Sequence, residues 1–157
     1  MTPLKQTLVP AAAQGEILEL DEMWSFVYRR SNKRWIWIAL CRRTRQVLAY
    51  AIGNRGEASC RKLWKLWKRI PESYRRGVLY SDFWESYQKV LPEDRHRAVG
   101  KSEGQTSHVE RWNCTLRQRL GRFVRRTLSF SKSEEMHEVC LLLFLHDYNL
   151  SCLNNTE

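Results

Sequence analysis

The sequence contains no Cys-x-x-Cys pair. Its five cysteines, Cys41, Cys60, Cys114, Cys140 and Cys152, are scattered and odd in number. Zinc-finger spacing is therefore excluded, and a disulfide framework is not expected. His96, His137 and His146 add no ligand-like spacing, so cysteines and histidines are read as structural, and the thiols as reduced. MTPLKQTLVPAAAQGE lacks the apolar core of a signal peptide. The longest late apolar run, VCLLLFL, is far too short to span a bilayer. No membrane partner is expected, and the expected location is cytoplasmic, in association with the nucleoid. A glycine-rich phosphate loop is also missing, because GKSEG is too short and lacks the P-loop order. There is no internal repeat and no low-complexity segment.

Negative charge is the other shortage. Against 27 Lys and Arg there are 17 Asp and Glu, a formal net charge of +10. A basic balance of this size points to a polyanionic partner, with nucleic acid the default. A protein that is basic without such a partner is the plain alternative. The 157 residues suffice for one domain with a core, and seven tryptophans argue against disorder.

Hydrophobic periodicity then gives the organisation. Residues 1–15, with Pro3 and Pro10, read as an irregular leader. In 16–28, EILELDEMWSFVY, Leu18, Leu20, Trp24, Phe26 and Tyr28 share one face. Ile17, Glu19, Asp21, Met23 and Val27 share the other, which is strand periodicity. RWIWIALCR and VLAYAIG are further strands, joined by the short turns RRSNK and TRQ into an antiparallel meander. GEASCRKLWKLWKRIP carries Leu63, Trp64, Trp67 and Ile70 at helical spacing and stops at Pro71. The Trp64 and Trp67 pair is read as core. GVLYSD is a short buried strand, FWESYQKVL a short helix closed by Pro92, and HRAVGK a last strand. Residues 107–126, SHVERWNCTLRQRLGRFVRR, read as one arginine-rich helix with the stripe Val109, Trp112, Leu116, Leu120 and Phe123. Ser133 caps a final helix with Glu134 and Glu135 in its first turn. Residues 16–150 form the folded domain and 151–157 a tail. The order β-β-β-α-β-α-β-α-α implies three antiparallel strands, then parallel ones, with helices on both faces of a mixed sheet. That is the order of the α/β, ribonuclease H-like fold.

Three acids stand out in this frame. Asp21 lies within the first strand among apolar neighbours, Asp82 where GVLY ends, and Glu110 in the first turns of the arginine-rich helix. A carboxylate in a strand core is costly unless paired or bound to a cation, and ligands in α/β sheets gather at strand ends. Each acid also has a plain structural role. Asp21 can pair with an arginine, leaving neighbouring Glu22 as the ligand; Asp82 can cap the following helix; Glu110 suits a helix N-terminus. Taken together, in strand, strand end and helix, they favour a hard-cation site. Asn113 and Arg117 lie one and two turns beyond Glu110. Arg111, Arg117, Arg119 and Arg122 are expected to hold a DNA backbone, with His108 and Asn113 lining the site.

The segments ELDEMWSFV, YSDFWESY, SHVERWNCTLRQRLGRFVRRTLSFSKS and the MHE…HDYN tail resemble the catalytic part of the DDE transposases of the Insertion Sequence One family. The resemblance covers residues 16 to about 150. It implies that Asp21, Asp82 and Glu110 are the catalytic, metal-binding triad. The implied cofactor is Mg²⁺, with Mn²⁺ a substitute, and the implied partners are transposon ends and target DNA. It further implies cleavage and strand transfer by a homo-oligomer on DNA. Family members carry an upstream zinc-binding and helix-turn-helix region that recognises element ends. No such segment precedes Asp21 in this sequence, which suggests a downstream reading frame or a truncated copy. Two other functions fit the same residues: a different nuclease of this fold, such as a resolvase, or a noncatalytic basic DNA-binding module. Joined products separate the first from a transposase, and convergence of the three carboxylates separates the second.

Overall fold

A computed structural model describes residues 3–54, 58–82, 85–125 and 127–155. Residues 56–57 and 83–84 of the two expected helices, and Arg126 of the arginine-rich stretch, lie outside the described residues. The meander is present as β1 (Ile17–Phe26), β2 (Lys33–Cys41) and β3 (Val47–Asn54), paired antiparallel. After α1 (Ser59–Arg69) and a single turn, α2 (Glu72–Arg75), β4 (Val78–Ser81) joins β1 in parallel. A short helix, α3 (Glu85–Val90), leads to β5 (His96–Ala98), parallel to β4. The strand order is 3-2-1-4-5. This is the mixed α/β sheet, antiparallel then parallel, consistent with the ribonuclease H-like fold. Among the described residues no helix is long and apolar enough to cross a membrane.

The sheet is covered on both faces. On one, Leu18, Leu20, Trp37 and Leu79 pack with Leu63, Leu66 and Ile70 of the α1 region, Tyr74 of α2 and Tyr87 of α3. On the other, Met23, Ile36, Ile38 and Leu40 pack under α4 (Ser107–Arg119) and α5 (Glu134–Asn154) through Val109, Trp112, Leu116, Leu141 and Leu145. The apolar stripe of α1 is Leu63, Leu66 and Ile70. Trp64 falls at its border and is 47% exposed, under the Lys68 ammonium at 5.2 Å, so it is not core. Trp67 is partly buried.

Three boundaries differ from the periodicity. The arginine-rich stretch is not one helix: α4 ends at Arg119, Leu120 turns to extended backbone (φ −119°, ψ 99°), and Gly121–Phe123 form one 3-10 turn. Phe123 still reaches the core, and this is why the apolar spacing mimicked a continuous helix. The leader is more regular than expected, with a 3-10 turn at Leu4–Thr7 and Leu8 and Ala11 against the core. The final helix, capped as expected by Ser133 accepting from the Met136 amide, continues to Asn154 and takes in most of the presumed tail.

Asn149 of the HDYN segment explains how leader, β3 and α5 hold together. It is fully buried. Its Nδ2 donates to the Thr7 hydroxyl at 3.0 Å and to the Val47 carbonyl at 2.9 Å, while its Oδ1 accepts from the Val47 amide at 2.8 Å. Gln46 donates to the Thr7 and Asn149 carbonyls and accepts from the Val9 amide. His137 ties the start of α5 to β1 in the same manner. Its Nε2 lies 2.7 Å from the Ser25 hydroxyl and its Nδ1 2.5 Å from that of Ser131, with the ring stacked on Phe123 at 4.3 Å. Burial, then the fields of Arg122 and Arg34, push its pKa down to about 4.

Asn149→Leu strands buried backbone groups of β3. It is expected to cost about 3 kcal/mol, read as a lower urea midpoint. A histidine held neutral in the fold binds a proton more readily once unfolded. Stability is therefore fully present above pH 6.5 and falls as pH drops towards 4, by about 3 kcal/mol. His137→Gln should flatten that part of the stability–pH curve, measured by denaturant unfolding at each pH.

Candidate active site

Asp21 sits mid-strand in β1, on the face covered by α4, and is 8% exposed. β1 and β4 run in parallel with Ile17 beside Val78 and Glu19 beside Tyr80. Carried two residues further, this register brings Asp82 level with Asp21, just past the end of β4 at Ser81. Parallel pairing thus does what the chain order alone leaves open: it puts two acids 61 positions apart at one end of the sheet. Glu110 is half-buried in the first turn of α4.

The electrostatics record the same neighbourhood. Burial is the largest influence on Asp21 and pushes its carboxyl up to about 6; Lys101 works against this, and the charges of Glu110 and Asp82 add to it. Asn113, one turn beyond Glu110, donates from Nδ2 to Asp21 Oδ2 at 2.9 Å. The Thr106 hydroxyl donates to Glu110 Oε1 at 2.8 Å. Each carboxylate thus has one oxygen held by a side chain of α4 or of the residue that precedes it.

Glu22 points to the opposite face of β1 and accepts from the Tyr87 hydroxyl. Burial pushes it up to about 7; the Tyr87 hydrogen bond holds it down, and the charges of Asp21 and Asp82 raise it further. It shares the field of the acids at this sheet end, but not the α4 face that carries Glu110 and Asn113.

The residue that sequence reasoning missed is Glu19. It is fully buried, two positions before Asp21 on the same face of β1. Its Oε1 accepts from the backbone amides of His108 at 2.9 Å and Val109 at 3.3 Å. Its Oε2 lies 2.7 Å from His108 Nδ1 and 3.0 Å from Arg42 Nε. Arg42 in turn donates to the carbonyl and side-chain oxygens of Gln105. No α4 residue caps its own helix: the Thr106 hydroxyl is turned to Glu110 instead. Glu19 takes over that role from β1, satisfying orphan amides and facing the positive end of the helix. The signal was visible, since two acids at i and i+2 of one strand face seldom share a core without distinct partners.

The expected DNA-contacting residues divide. Asn113 and Arg117 lie on the side of α4 that carries Glu110, and Arg117 feels the charge of Asp21. His108 is held by Glu19. With Arg111 it lines a different cavity of about 220 Å³, together with Arg45, Thr115 and Tyr148. Arg119 is exposed at the end of α4, and Arg122 belongs to the 3-10 turn. Sequence spacing grouped all six; the helical phase separates them.

The donor set around Asp21 suits a hard divalent cation in its chemistry: carboxylate oxygens, with Asn113 Oδ1 buried and without a hydrogen-bond partner in the protein. Among the described residues, no three His, Cys, Asp or Glu side chains close on a common point as ligands of one ion. The acids share a field and a sheet end rather than a finished cage.

Relatives of the chain are consistent with this architecture. The profile of the IS1 transposase family matches residues 16–150. The insertion element iso-IS1n protein InsB of Shigella dysenteriae is 40% identical over 132 residues, covering 84% of this chain and 95% of the relative. The insertion element IS1 protein InsB of Shigella flexneri is 36% identical over 120 residues, 76% of this chain and 86% of the relative. The insertion element IS1 4 protein InsB of Escherichia coli strain K12 is 34% identical over 120 residues, 76% and 68% of the two chains. A family match across nearly the whole folded domain, with relatives at this identity, makes the chain a member of the IS1 transposase family.

Proposed function

We propose that this transposase cuts and joins DNA through a DDE-type site in which Asp21, Asp82 and Glu110 hold Mg²⁺, with Mn²⁺ able to replace it. The observation that supports the reading is geometric: the β1–β4 register brings Asp82 level with buried Asp21, and Asn113, one turn beyond Glu110 on α4, donates to Asp21 Oδ2. Bound at such a site, divalent ions lower the pKa of the attacking water or hydroxyl and stabilise the leaving oxygen of a phosphodiester.

The chain's own groups do the rest. Asn113 holds Asp21 Oδ2 and leaves Oδ1 as the freer ligand atom. Thr106 does the same for Glu110 through Oε1. Water attacks the phosphorus at an element end, a P–O bond forms, and the bond to the 3′ oxygen breaks to leave a 3′-hydroxyl. That hydroxyl then attacks a target phosphodiester in line: a P–O bond to the element's 3′ oxygen forms, the target's own bond from phosphorus to its 3′ oxygen breaks, and the products are a joined strand and a free target 3′-hydroxyl. Transposon ends and target are thus the DNA partners, assembled on a homo-oligomer, with end recognition supplied by an upstream domain or reading frame.

Glu19 enters as a positioning residue. It touches no substrate, but it fixes the turn of α4 from which Glu110 projects.

In a cleavage and joining assay with element ends, Glu110→Gln is expected to abolish Mg²⁺-dependent products. Its DNA affinity should be equal or higher, since a negative charge near phosphate is gone. Retained cleavage with lost binding contradicts the assignment. Glu19→Gln breaks a buried ion pair and loosens α4. It should cost about 3 kcal/mol of stability and lower the cleavage rate at saturating DNA about tenfold or more, with DNA affinity little changed. An unchanged rate in a destabilised but folded variant would show that Glu19 serves the fold alone.

A further inference from the structure

β4 pairs with β1 only as far as Glu19 and Tyr80. Beyond that point the same edge of β1 meets the chain that follows α4. Val27 bridges to Ser131, the Tyr28 amide donates to the Ser131 carbonyl, and Phe26 packs on Phe130. Trp24 lies on this stretch, half-buried. Two cations are held over its ring: the Lys33 ammonium at 4.4 Å and the Arg125 guanidinium at 4.9 Å from the centroid. They are therefore nearer to each other than a Debye length, about 10 Å at 0.1 M salt, and repel with little screening.

A third cation, Arg117, lies on α4. Nε and Nη2 of Arg117 are buried without a hydrogen-bond partner in the protein. Burial, then the charge of Arg125, depresses this guanidinium's pKa, and Asp21 works in the opposite sense. Arg117 thus stands in the fields of both the Trp24 group and the carboxylates. Among the described residues none of the three cations is ion-paired to a carboxylate. Like charges gathered about one aromatic ring, with no carboxylate paired to them, are what an oxyanion would complete.

We infer that Lys33 and Arg125, held about Trp24, form a subsite for a DNA backbone phosphate distinct from the one cut. The inference rests on the proposed carboxylate site for its location. Trp24 is three residues beyond Asp21, about 10 Å along a strand, or roughly three steps at 3.4 Å per nucleotide of duplex. The subsite fixes how the DNA strand leaves the carboxylates. Trp24 acts through the cations it holds, by the attraction of its ring face, and not by stacking on a base.

The test is a salt series of DNA binding by the full chain, read as anisotropy of a fluorescein-labelled short duplex without divalent metal. Lys33→Gln/Arg125→Gln should lower the slope of log affinity against log salt by about one, the loss of one neutralised phosphate. Arg125→Gln alone, at an exposed position, should act in the same direction. The charge-matched Lys65→Gln/Lys68→Gln on α1 should leave the slope in place; equal declines in both double variants would overturn the subsite. Trp24→Leu should weaken binding severalfold in the parent chain and add nothing in the Lys33→Gln/Arg125→Gln background. A further loss there would mean direct base contact and would also overturn it. Mg²⁺-dependent cleavage by the parent chain, run in parallel, separates the two readings. With the upstream end-recognition region supplied to the cleavage reaction, cleavage with unaltered slopes sinks the subsite alone, whereas slope differences without cleavage sink the catalytic reading and keep the subsite.

Discussion

The position of α4 depends on one buried carboxylate, that of Glu19. Glu19 is taken wholly out of water in the middle of the sheet. That is costly unless every lone pair is used, and here all the partners come from elements that must meet: two amides and an imidazole from α4, and a guanidinium from the end of β2's turn. Arg42 extends the link to Gln105, so the segment entering α4 is held as well. Once the first turn of α4 is fixed over β1, helical phase puts Glu110, Asn113 and Arg117 along one side. Asp21 lies two residues from Glu19 on the same strand face, so a single buried contact sets the relation between a strand acid and a helix acid.

Charge is sorted along this sheet end by topology. Parallel pairing of β1 and β4 brings Asp21 and Asp82 to the same level, and β4 stops there, leaving the rest of β1 to the segment after α4. The acids therefore collect where β4 ends, and the unpaired cations Arg117, Arg125 and Lys33 collect next to them along β1. Lys101, from the loop before α4, lies close enough to lower both Asp21 and Glu22. A net charge of +10 would say only that DNA is attractive. On the proposed reading, this adjacency lets a phosphodiester chain lie with one link at the acids and another, about three steps away, on the cations about Trp24.

Much of this was legible in the residues. Alternation marked β1 and its two faces, apolar β-branched runs marked β2 and β3, and Ser133 with its following glutamates marked the start of α5. Asp21 stood out because an acid is expensive in a strand core, Asp82 by its place at a strand end, and Glu110 by its occurrence with them in the order strand, strand end and helix. The helix boundary after Arg119 was not legible: Leu120 and Phe123 keep helical spacing while the backbone has already left the helix, since both still need the core. The exposure of Trp64 was hidden for a related reason, because the periodicity of α1 admits either Trp64 or Leu66 on the stripe and packing selects the leucine. Glu19 was visible as a second acid on the Asp21 face, but its partners, like those of Asn149, could not be named in advance. Their partners lie 89 and 142 positions away, and only the tertiary fold brings those amides and hydroxyls into reach.

The central claim is that Asp21, Asp82 and Glu110 hold one metal site. Fe²⁺ substituted for Mg²⁺, with ascorbate and peroxide, cuts a polypeptide next to the bound ion, and mass spectrometry locates the cuts. Cuts at all three segments, around residues 21, 82 and 110, suppressed together by excess Mg²⁺ and lost together in Asp21→Asn, are the predicted result. Cuts confined to one segment, or unaffected by Asp21→Asn, would contradict it.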